Sequence, residues 1–154
     1  MKFALALTLI AASLPCQAKD RADQMCAPLR AFVVSVKPDE TRKLEFQTSW
    51  GANFKGSSEP ALYAKSCVHD KYAPAKAACD YLMEHGAVEF SGNNAMRALS
   101  CLSPGTRFGN YVQLNQAEFS FSYGTDNRGS NITLKYGEDP KLGAMVLSIT
   151  ADGY

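Results

Sequence analysis

No run of like charge, no apolar stretch of membrane-spanning length and no Cys-x-x-Cys pair occurs in these 154 residues. Each absence removes a class of protein. The 16 basic residues nearly balance the 15 acidic ones. No cluster of Lys and Arg marks a nucleic-acid-binding face. With no later apolar run near ~20 residues, a membrane span is not expected in the mature chain. Without Cys-x-x-Cys, a thiol oxidoreductase is not expected. Gly-x-Ser-x-Gly, a phosphate-binding glycine loop and a dinucleotide-binding glycine pattern are missing too, so no cofactor is expected.

What is present begins with an address. Lys2 precedes the apolar run Phe3 to Leu14, which is followed by Pro15, Cys16, Gln17 and Ala18. A charged start, a short apolar core, a helix breaker and small residues read as a secretory signal peptide over 1–18. Pro15 makes Cys16 a poor site for lipid attachment. The expected mature chain is one domain over 19–154, with Lys2 lost and its charges balanced. The expected location is periplasmic or extracellular, in a bacterium by the brevity of the leader. Asn131-Ile132-Thr133 fits a glycosylation acceptor, a pattern common by chance.

Four cysteines remain after cleavage: Cys26, Cys67, Cys79 and Cys101. An even number in an exported chain predicts two disulfides, whereas zinc would want closer pairs and more histidine. Three pairings are open. Cys79 and Cys101 lie beside the apolar stripes of consecutive helices, which favours Cys79–Cys101 with Cys26–Cys67.

Along the chain, Met25, Leu29, Phe32, Val33 and Val36 recur at helical spacing over 20–36. Pro28 is expected to open that helix, with Ala27 before it. A strand over 32–36 is the alternative. Residues 41–50 alternate: Leu44, Phe46, Thr48 and Trp50 on one side, Lys43, Glu45, Gln47 and Ser49 on the other, a half-buried strand. A Gly/Ser/Asn loop fills 51–60, and 61–67 reads as a short helix. Pro74 opens a helix that Gly86 stops; 87–90 is a strand or a connector. Asn93 or Asn94 caps a further helix ended by Pro104. Three alternating runs, 118–123, 131–136 and 144–150, are joined by Gly/Asp/Asn turns, and 111–114 could extend the first. The expected fold is α+β, an antiparallel sheet of four or five strands with helices on one face, stapled by two disulfides.

Chemistry has few places to reside. His69-Asp70 reads as a polar loop, and Glu84-His85 as a helix end where a cation complements the dipole. No nucleophile or third orienting group accompanies either, so neither catalytic nor metal-ligating residues are assigned. Aromatics near loops remain, since Trp and Tyr anchor interfaces. The expected function is a non-enzymatic binding module, inhibitor- or immunity-like, whose partner is another envelope or secreted protein. Trp50, Asn53, Phe54 and Arg128, in segments 50–56 and 124–130, form its candidate surface. The alternatives are a small-ligand carrier and a small envelope hydrolase using His69 or His85.

Overall fold

The computed structural model describes residues 21–109 and 111–154. The signal-peptide reading of 1–18 lies outside the described residues. The element order is α1 (Arg21–Ser35), β1 (Thr41–Trp50), β2 (Tyr63–Val68), α2 (Ala73–His85), α3 (Gly92–Leu102), β3 (Ala117–Thr125), β4 (Arg128–Asp139) and β5 (Ala144–Gly153). All five strands form one antiparallel sheet in the order β2-β1-β5-β4-β3. The α+β expectation holds, and among the described residues no helix is long and apolar enough to cross a membrane.

The alternating runs become strands because one face is covered and the other wet. Leu44 and Phe46 of β1, Ile132, Leu134 and Tyr136 of β4, and Leu147 and Ile149 of β5 are buried under the helices. Met25, Leu29, Phe32 and Val33 of α1 and Leu82 of α2 meet them. These side chains fill the layer between sheet and helices. The other face carries exposed or half-exposed Lys43, Glu45, Gln47, Lys135 and Ser148, with solvated ion pairs that add little stability.

Three local readings need correction. Residues 63–68 are a strand and not a helix, because cross-strand pairing with β1 (Phe46 opposite Cys67, Trp50 opposite Tyr63) overrides a weak local preference. Pro28 lies inside α1 and does not open it. The acceptor it leaves unmatched is that of Gln24, an exposed residue where water can serve, while Met25, Leu29 and Phe32 continue the buried stripe across it. Neither Asn93 nor Asn94 is the cap of α3. Ser91 takes that place without a side-chain bond, and Asn94 turns its amide to Ala87 instead. Residues 87–90 are a connector, and 111–114 stay outside β3.

The disulfides are Cys26–Cys101 and Cys67–Cys79, not the favoured pairing. The reason is helix order in space. α1 packs against both α2 and α3, so Cys101 meets α1 and Cys79 meets β2. Arg30 Nε, one turn from Cys26, also donates to the Cys101 carbonyl at 3.0 Å.

β2 reaches α2 through a strained turn. Tyr72 N donates to His69 O at 2.8 Å, and the two residues between, Asp70 and Lys71, both have positive φ (46° and 59°). That is a type I′ geometry, in which glycine is favoured at the second position. Lys71→Gly is expected to stabilise the fold by about 0.5–1 kcal/mol, the left-handed penalty less glycine's entropy. A higher urea midpoint at unchanged slope is the expected reading; a lower midpoint would refute the strain assignment.

Candidate functional site

Trp50 ends β1 and pairs with Tyr63, which begins β2. Both point to the helix side, in register with Phe46 and Cys67, but α2 stops at His85 and the chain turns away at Gly86. They therefore extend past the helical cover. Trp50 is 58% exposed, Tyr63 57%, the neighbouring Leu62 82% and Phe90, on the 86–91 connector, 59%. This concentration of large apolar side chains at one end of the sheet is the most distinctive surface feature among the described residues. Isolated exposed hydrophobics are ordinary; grouped ones mark contact sites.

Two shallow depressions adjoin it. One, about 210 Å³, runs between Trp50, Val88 and Met145. The other, about 340 Å³, runs between Phe90, Val112 and Tyr136. They share Glu89, Ser91 and Met145 in their walls. Beneath them the buried Ser91 and Tyr136 hydroxyls are hydrogen-bonded at 2.6 Å. Burial pushes the Tyr136 phenol above its ordinary range, and the Ser91 bond partly opposes this. A phenol so held is a neutral structural group and not a base at neutral pH.

The connector is fixed in place. The buried Asn94 amide accepts from Ala87 N at 2.9 Å and donates to Ala87 O at 2.7 Å. The loop after Trp50 is equally tied. Asn53 Nδ2 donates to Ser57 Oγ and Glu59 O, its Oδ1 accepts from Phe54 N, and Lys55 bonds to Leu142 O and Pro140 O across the β4–β5 turn. Asn53 thus serves its own loop, and Phe54 is half-buried. The surface is presented on ordered backbone, which lowers the entropy a partner must overcome.

Arg128 is not part of this surface. It pairs with Thr125 at the β3–β4 turn, at the end of the sheet where β1 begins. The length of a ten-residue strand, roughly 30 Å, separates the two ends. The histidines are also apart. His69 precedes α2 and His85 closes it, so about 20 Å of helix lies between them. His69 Nδ1 is buried without a partner among the described residues, and His85 Nε2 lies 3.6 Å from Glu84 Oε1 on an exposed helix end. Among the described residues neither imidazole is hydrogen-bonded to a hydroxyl, and no group of three His, Cys, Asp or Glu is placed to hold a metal.

Leu62 and Phe90 were not legible as site residues. Reading 61–67 as a helix conceals the Trp50–Tyr63 pair, and nothing local signals that Phe90 faces outward. No protein-family model matches the chain, and neither curated proteins nor solved structures supply a match.

Proposed function

We propose that the protein is an exported, non-enzymatic binding module that engages another envelope or secreted protein through the Trp50 end of its sheet. One observation carries this reading: Trp50, Leu62, Tyr63 and Phe90 are exposed together on rigidly held backbone. Partly exposed Trp and Tyr on a fixed scaffold are what interface hot spots are made of. Two disulfides support an oxidising compartment, in keeping with the leader-like start of the sequence. An inhibitor or immunity protein, which needs a firm contact surface and no chemistry of its own, fits these features.

The test is affinity capture from envelope and culture-fluid extracts with the oxidised protein, with Trp50→Ala and Arg128→Ala run in parallel. A partner bound by the wild type should bind Trp50→Ala at least ~30-fold more weakly, the loss of one hot spot of about 2 kcal/mol. Arg128→Ala should bind normally. A partner indifferent to Trp50→Ala but lost on Arg128→Ala would move the interface to the other end.

A further inference from the structure

The two edges of the sheet differ in how they meet neighbours. β2 has six residues and carries Lys65 on its helix-facing side, where burial lowers the ammonium pKa and Nζ donates to Met83 O. Cys67 ties the same strand to α2. An inward-pointing lysine is a standard deterrent to strand addition. β3 has nine residues and no such device. It contains no Lys, Arg or Pro, and its one charge, Glu118, is paired with Lys135 at 2.9 Å. Among the described residues no strand lies beyond it. Phe119, Phe121 and Tyr123, on the helix side, are only half-buried, so the helical layer thins out before it reaches this edge.

The sequence of this edge identifies its occupant. Phe119-Ser120-Phe121-Ser122-Tyr123 reads aromatic, serine, phenylalanine, serine, aromatic in both directions. We propose that β3 pairs antiparallel with β3 of a second copy, about a twofold axis through Phe121. In that register Phe119 faces Tyr123 of the second copy, Phe121 faces its equivalent, and Ser120 faces Ser122. Glu118 faces Gly124, so no like charges meet. The axis is perpendicular to the sheet, so both helical layers stay on one side and the aromatic rungs cover each other's exposed halves. Cross-strand aromatic pairs are among the more stabilising sheet contacts. A foreign strand would need this pattern by coincidence; a second copy has it by identity. The inference is independent of the Trp50 surface, which lies at another part of the sheet.

The experiment is sedimentation velocity of the oxidised protein from about 1 µM to about 1 mM, a range that resolves weak self-association. The wild type should shift from monomer to dimer. Ser120→Glu/Ser122→Glu sets carboxylate against carboxylate on both sides of the axis and should weaken the dimer about tenfold or more. Ser120→Glu/Ser122→Lys sets each new carboxylate against a new ammonium and should restore it. Both serines are exposed, so unchanged melting temperatures should show that the variants fold. A wild type that stays monomeric throughout, or a double glutamate variant that dimerises as the wild type does, would overturn the proposal.

Discussion

Replacing Cys26 and Cys101 together by alanine is expected to cost about 4.5 kcal/mol, since that bridge joins residues 75 apart and removes much loop entropy from the unfolded chain. The Cys67→Ala/Cys79→Ala variant opens a separation of only 12 residues and should cost about 3 kcal/mol. The order of the two losses is the informative quantity. Cys26, Cys79 and Cys101 are buried and Cys67 is partly buried against the core, so the gaps left by alanine add to the larger loss. Urea unfolding of the two double variants compares them directly. If Cys67→Ala/Cys79→Ala proved the costlier, stabilisation would arise from holding β2 on α2 and not from loop closure. The larger loss is serious against the ordinary 5–15 kcal/mol of a domain. Reducing conditions remove both bridges and should lower the urea midpoint further than either double variant does.

Gly86→Ala is expected to destabilise by about 3 kcal/mol, the upper end for overpacking a core. Its backbone, φ −66° and ψ 136°, suits any residue, so conformational strain is not the cause. A Cβ there would lie 2.6 Å from Phe46 Cζ and would also press on the Leu82 carbonyl. Neither can yield freely. The Phe46 ring is buried at the centre of β1, and Leu82 O already accepts from Gly86 N at 2.7 Å. Glycine-to-alanine changes at compatible sites usually stabilise by up to about 1 kcal/mol through the unfolded state, so a clear loss would isolate the steric term. Phe46→Leu should cost less in the Gly86→Ala background than alone, because the smaller side chain relieves the contact. Thermal unfolding of the four proteins completes that cycle; strictly additive losses would show that the ring is not what Cβ strikes.

The elements that could be read from residues alone were those whose pattern has one strong period. β1, β4 and β5 alternate because each has one face under helices, β3 because its aromatic side adjoins the same core, and α2 has proline and glycine at its ends. β2 was opaque for a physical reason. Tyr63, Lys65 and Cys67 share one side and Ala64, Ser66 and Val68 the other, so neither side is plainly apolar. Lys65 points toward the helices and finds a carbonyl there, an arrangement only tertiary structure can supply. The disulfide pairing is hidden for a like reason. Adjacency in sequence suggested adjacency of α2 and α3, whereas α1 takes the neighbouring position of each. At the candidate site, Trp50 was visible as an aromatic beside a loop. Asn53 was visible too, but its role within the loop was not, since its partners Ser57 and Glu59 emerge only when the loop folds back.

β5 is the last strand in the order of the chain, yet it occupies the middle of the sheet, between β1 and β4. Two ribbons, β1–β2 and β3–β4, have no common member until it arrives. A chain emerging amino end first from a ribosome or a translocation pore must therefore keep both ribbons waiting, each with its inner edge unpaired. Pairings such as Leu44 with Ile149 span about a hundred residues, so closure is governed by distant contacts and is slow by topology. The molecule is assembled as an arch is, with its keystone set last, and the waiting period is when it most needs protection from association with other chains.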